Sequence, residues 1–171
     1  MPDPIKFPSS FTSERILAIE QIQIHKRALQ AMEAHALSTY PEECCGMILE
    51  REGQEVVHRI LNIQNSLHQK NPEEYPRDAR TAYFMEPREL LWALKEVEEG
   101  KKLKAFYHSH PEHDAYFSQE DKARAMAWDE PTYPDSAYLV LSVYNRVVKE
   151  VCVYAWDAER RDFLEIPLEI T

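Results

Sequence analysis

Three glycines in 171 residues leave few positions that can turn without a side chain, so the loops must rely on Pro, Asn and Asp. Cysteine is equally scarce. Cys44, Cys45 and Cys152 make an odd count with two of them adjacent, which argues against a disulfide framework. Basic residues are outnumbered, 20 Lys and Arg against 30 Asp and Glu, and the net charge of -10 disfavours sequence-independent attraction to phosphate backbones or anionic lipid. No nucleic-acid or membrane partner is therefore expected. No stretch approaches the roughly 18 apolar residues of a membrane span. The opening MPDPIKFPSSF has prolines and an acid where a secretory signal would carry a basic and then an apolar segment. A soluble, cytoplasmic protein is expected.

What is present is helical and strand periodicity over a length suited to one domain. Residues 1–20 mix Pro, Ser and Lys without a clean period and read as an N-terminal extension; residues 21–171 read as a single domain. IQI (22–24) is a short strand. Leu29, Met32, Ala36 and Leu37 then recur at helical spacing until Pro41 stops the helix. CCGMILE reads as a buried strand, REG as a turn and QEVVHRILNI as the returning strand of a hairpin. The polar stretch 64–80, with two prolines and no period, reads as a long loop bordering a groove. AYFM (82–85) reads as a strand, and EPRELLWALKEVEEG as a helix with Pro87 in its first turn and Gly100 as its stop. LKAFYHSH is a strand and SQEDKARAMAW a helix. After the turn-rich DEPTYPD, SAYLVLSV and VVKEVCVYAW form a hairpin-like pair, and DFLEIPL is the last strand. This order indicates an α/β domain, a mixed β-sheet flanked by helices.

His108 and His110 lie two apart at the end of a strand, where side chains at that spacing share a face, so two imidazoles can converge on one ion. Pro111 marks the strand end, and strand ends are where ligands gather. Catalytic zinc takes three protein ligands and leaves a position open. Asp121 supplies the third if the helix beginning near Ser118 returns past the strand end. Ser118 has two readings. SQED fits a capping box, in which the serine oxygen accepts the N–H three residues on and the acid returns the bond; alternatively its hydroxyl donates to an oxyanion formed at a carbonyl. A general base must come from elsewhere, because a ligand carboxylate is already engaged. Glu42 and Glu43, immediately before the buried CCGMILE strand, are the candidates.

These residues resemble a known family. His108-Ser109-His110-Pro111, seven residues between His110 and Ser118, two more and then Asp121 match the JAMM motif of the MPN+ zinc metallopeptidases. Glu43-Cys44-Cys45-Gly46 is similar to the segment that supplies this family's glutamate, and counting back from Gly46 selects Glu43 over Glu42. The resemblance runs from about Ile22 to the last strand. It implies the MPN fold, related to cytidine deaminases, with His108, His110 and Asp121 as ligands of one zinc ion, Glu43 as the acid/base and Ser118 as oxyanion donor. Asn65-Ser66 is similar to the family's loop beside the groove.

The resemblance also implies a substrate. Compact members act on ubiquitin-like sulfur-carrier proteins, hydrolysing the bond after a C-terminal Gly-Gly; the alternative is deubiquitinase-like removal of conjugates from lysines. The short DEPTYPDS after the Asp121 helix favours the compact type. Two other classes compete: a non-catalytic MPN scaffold, which would lack the ligands retained here, and a zinc nucleobase deaminase, whose H-x-E and P-C-x-x-C signatures are missing. The oligomeric state is left open. Other candidates read as structure: Trp92 and its neighbouring leucines as core, His35 as a packed histidine, Cys44 and Cys45 on opposite faces of a strand, Cys152 as buried, and His113 as a loop residue outside the ligand set.

Overall fold

The computed structural model describes residues 18–171. Nearly all of the extension expected over 1–20 lies outside the described residues. In chain order the elements are β1 (Ile22–Ile24), α1 (Lys26–Thr39), β2 (Cys45–Arg51), β3 (Gln54–Ile60), α2 (Gln64–Lys70), α3 (Pro87–Glu98), β4 (Lys102–Pro111) and α4 (Gln119–Ala125). They continue as β5 (Met126–Ala127), β6 (Glu130–Pro131), β7 (Ala137–Tyr144), β8 (Val147–Asp157), β9 (Asp162–Ile166) and β10 (Leu168–Ile170).

The central sheet has the order β3-β2-β4-β7-β8-β9, antiparallel except where β4 and β7 pair in parallel. A parallel pair needs a crossover, and here it carries α4 from the end of β4 to the start of β7. Alternation along the strands divides the core. Cys44, Ile48, Ala105, Tyr107, Leu139 and Leu141 join Met32 and Ala36 of α1 on one face; Cys45, Met47, Phe106, Tyr138 and Val140 join Phe117 and Phe163 on the other. Each fully buried aliphatic side chain contributes roughly 1.5–3 kcal/mol. β4 and β7, buried over almost their whole length, carry the largest share.

Both cysteines of PEECCG are buried because both faces of β2 are covered, and all three cysteines are free thiols. Gly46 has a local reason. A Cβ there would lie 2.3 Å from the His58 carbonyl oxygen and 2.5 Å from the Tyr107 ring, so only glycine lets that ring cross β2. The same Tyr107 hydroxyl hydrogen-bonds Nδ1 of buried His35 at 2.8 Å, which confirms His35 as a packed residue.

Several expectations need correction. The 64–80 stretch is not loop throughout: its first seven residues form α2. AYFM is not a strand; only Met85 bridges, to Asn62. Trp92 and Leu91 are 63% and 67% exposed, since α3 buries Ala93 and partly buries Leu90, Leu94 and Val97 instead. Their spacing is compatible with more than one stripe of a helix, and contact with the sheet picks the stripe. α4 ends at Ala125, before Trp128. The last strand is two, β9 on β8 and β10 parallel to β1, divided at Pro167, which has no N–H for a ladder. Cys152 is partly rather than fully buried.

Candidate metal centre

The parallel β4–β7 pair sets up the site, because its crossover brings α4 back over the carboxyl end of β4, the usual gathering point for ligands in α/β sheets. His108 and His110 point to the α4 side from that end, 2% and 6% exposed. Their Nε2 atoms are 3.1 Å apart. Nδ1 of His110 donates to the Asp114 carbonyl at 2.8 Å, which leaves a lone pair on Nε2 of the neutral ring. Burial, reinforced by the neighbouring His108, pushes the His110 pKa down to about 4 and favours that neutral form. For His108 burial acts in the same sense, but the Asp121 carboxylate and Glu43 outweigh it and its pKa is raised.

Asp121 stands in the first turn of α4. Its Oδ1 is 3.4 Å from His108 Nε2. Its Oδ2 accepts from the Ser118 backbone N–H at 2.8 Å and from the Ser118 hydroxyl at 2.6 Å, while Ser118 Oγ accepts the Asp121 N–H at 3.0 Å. Burial opposes its charge, yet His108 and these bonds together hold the carboxyl well below its ordinary range. The capping box read from SQED is present, and in this geometry the Ser118 hydroxyl serves both the helix end and the carboxylate.

One ligand atom from each of His108, His110 and Asp121 lies within 4.8 Å of the others, and all three residues are buried. Two lone-pair-capable imidazoles and one ionised carboxylate, converging and with the second histidine nitrogen already fixed by a carbonyl, suit a divalent metal with an open position. The fit is good. Among the described residues no other such group occurs.

Glu43 precedes β2 and faces the same cavity, 6% exposed, whereas Glu42 turns away and accepts from Asn65 Nδ2 at 2.7 Å. Burial pushes the Glu43 pKa up to about 7, against the opposing pull of His108. Its backbone is held on both sides: Glu43 N–H donates to the Ala79 carbonyl at 2.7 Å, and Asn62 Nδ2 donates to the Glu43 carbonyl at 2.9 Å. Ser109, between the two histidines, faces the other side of β4, where its Oγ accepts the Cys44 N–H at 2.8 Å. The strand that presents the histidines is thereby tied to the residue after Glu43.

His113 lines the cavity but is outside the ligand group; its Nδ1 donates to the Pro111 carbonyl at 2.9 Å. Asn65 and Ser66 are on α2 and do not line it; Asn65 instead braces Glu42 and the Ala79 N–H. Sequence reasoning missed Tyr83, whose ring stacks on His108 at 4.7 Å, Tyr116 against His110, and Arg77 and Arg124 at the rim. Residues 82–85 read as a strand, and that reading carries no signal that Tyr83 meets a histidine. Asn62 was missed too. It is a hub whose Oδ1 accepts from Gln64 and Phe84 backbone N–H groups.

A mixed sheet presenting a buried two-histidine, one-aspartate group beside a separate buried glutamate defines a class: an α/β domain with a site able to hold a metal ion. A family model described as prokaryotic homologs of the JAB domain matches residues 25–159, and the chain belongs to that family. It is similar to the CysO-cysteine peptidase of Mycobacterium tuberculosis, 29% identical over 115 residues, 67% of this chain and 68% of that one. It is also similar to the desampylase of Haloferax volcanii, 26% identical over 133 residues (75% and 80%), and to a probable TtuB-protein conjugate cleaving protease of Thermus thermophilus, 33% identical over 111 residues (64% and 66%). A protein of Desulfitobacterium hafniense solved in solution shares the fold with a TM-score of 0.62 at 23% identity, covering 87% of this chain and 92% of that one. Among the described residues no helix is long and apolar enough to cross a membrane.

Proposed function

We propose that the chain is a zinc-dependent peptidase that hydrolyses the bond after the C-terminal Gly-Gly of a ubiquitin-like sulfur-carrier protein in the cytoplasm, with residues 21–171 acting as one domain. The observation that carries this reading is the buried His108–His110–Asp121 group with the free carboxylate of Glu43 on the same cavity wall. Relatives named as a CysO-cysteine peptidase, a desampylase and a probable TtuB-protein conjugate cleaving protease support it. A scaffold role gives no reason for these three ligand-type side chains to converge in one buried cluster.

His108, His110 and Asp121 would hold the ion, which when bound would supply a Lewis acid that polarises a carbonyl and acidifies water. Glu43 does the proton work: it takes a proton from the attacking water and delivers it to the leaving amine. A carboxyl displaced toward pH 7 suits both directions of transfer. Ser118 orients Asp121 as found, and donates to the developing oxyanion when its hydroxyl turns from Asp121 Oδ2, which keeps the Ser118 N–H. The decisive measurement is on the Glu43→Gln protein: bound zinc by elemental analysis, and hydrolysis by mass spectrometry of a carrier extended beyond Gly-Gly. Metal retained with a loss of at least about 10²-fold in kcat is expected; full activity would sink the assignment.

A further inference from the structure

Two guanidinium groups stand at the rim of the metal cavity in a chain whose net charge is -10. Arg77 Nη1 donates to the Thr81 carbonyl at 2.9 Å and its Nη2 meets Glu120; Arg124 donates to the Tyr83 carbonyl and, at 2.6 Å, to the other Glu120 oxygen. One carboxylate therefore bridges two cations. The pair keeps a net positive charge. Each guanidinium has five N–H donors, so donors remain after these bonds. Both side chains are partly open to solvent, and each is fixed by a backbone carbonyl of the segment that lines the cavity.

Arg124 is also close to the chemistry. Its guanidinium lies over the Tyr83 ring, 5.6 Å from the centroid, and that ring is 4.7 Å from the His108 ring. In a peptide substrate only three bonds separate the scissile carbonyl carbon from the α-carboxylate carbon of a single leaving residue, on the order of 4 Å. A lysine joined through its ε-amine offers methylenes at that distance instead.

Resting on the peptidase reading above, we propose that Arg77 and Arg124 form a carboxylate-binding site that selects a leaving amino acid with a free α-carboxylate. The chain thereby favours removal of one terminal residue after Gly-Gly over cleavage of lysine conjugates. In the favoured reaction the amide C–N bond breaks, water supplies hydroxyl to the acyl carbon and a proton to the amine, and the amino acid leaves with its carboxylate on the two arginines. Arginine is suited to this role because its planar fork matches a carboxylate bidentately.

The test compares three substrates of the zinc-loaded protein: a peptide ending in Gly-Gly-Ala as the free acid, the same peptide as its C-terminal amide, and Gly-Gly joined to the ε-amine of Nα-acetyl-lysine amide. The free acid is expected to be cleaved with a kcat/KM about tenfold or more above the amide and the isopeptide. In Arg124→Gln or Arg77→Gln the ratio of acid to amide should fall toward one, mainly through KM for the acid. A merely structural role would lower both rates together and leave the ratio unchanged. Equal rates on acid and amide, an isopeptide cleaved as fast as the acid, or a ratio preserved in both variants overturns the proposal. Cleavage of none of the three overturns the peptidase reading itself.

Discussion

Glu43→Gln in the metal-free protein isolates the energetic consequence of burying that carboxyl. The group's ordinary value is 4.5 and burial raises it to about 7 in the folded chain. A folded pKa above the unfolded one means that the native state holds the proton more tightly. The associated stability is fully present below about pH 4.5 and is lost as pH rises through about 7. At about 1.4 kcal/mol per pH unit the displacement corresponds to about 3 kcal/mol. Glutamine is neutral at every pH and escapes this loss. The Glu43→Gln protein should thus match the wild type near pH 4.5 and exceed it by about 3 kcal/mol at pH 8, a Tm gap of roughly 6–12 °C for a chain of this size. Thermal unfolding in a chelator, at intervals from pH 4.5 to 8.5, reads the gap directly. The difference between the two proteins retains the burial of Glu43 and its coupling to His108, Asp121, Arg77 and Arg124. A gap that stays constant over that pH range would refute a buried, displaced carboxyl at this position.

Ser109→Ala leaves the buried Cys44 N–H without its acceptor, a loss of about 1–3 kcal/mol; Tm should fall by several degrees while the zinc content of the folded protein stays unchanged. An unaltered Tm would mean that another acceptor takes over. Elemental analysis of His110→Ala should find zinc lost, and of His113→Ala zinc retained, since only His110 belongs to the converging group. Retention in the first or loss in the second would redraw the ligand set.

Much of this architecture was legible in the residues. Met32 and Ala36 at helical spacing, the apolar CCGMILE and LKAFYHSH runs, and Pro87 and Gly100 around a helix are local signals, and local physics governs them. The two-residue spacing of His108 and His110 was readable for the same reason: strand geometry alone puts them on one face. Errors fell where a choice between locally equivalent options needs the rest of the chain. Trp92 and Leu91 belong to a helix whose buried stripe is chosen by contact with the sheet, and α2 lacks the apolar period that would have announced it.

The sequence by itself determined most of the long elements, the Asp121 capping box and, through motif spacing, which histidines, aspartate and glutamate to compare, because these depend on covalent order and on neighbours within one turn or one pleat. Tertiary structure alone decided that they meet. Glu43 and His108 are 65 residues apart in the numbering and converge only because β2 pairs with β4, and Asp121 arrives only because the crossover to β7 returns over the strand end. The raised pKa of Glu43, the stacking of Tyr83 on His108 and the arginine pair at the rim belong to the same category. Burial and through-space charge depend on packed neighbours, and no spacing along a chain encodes them.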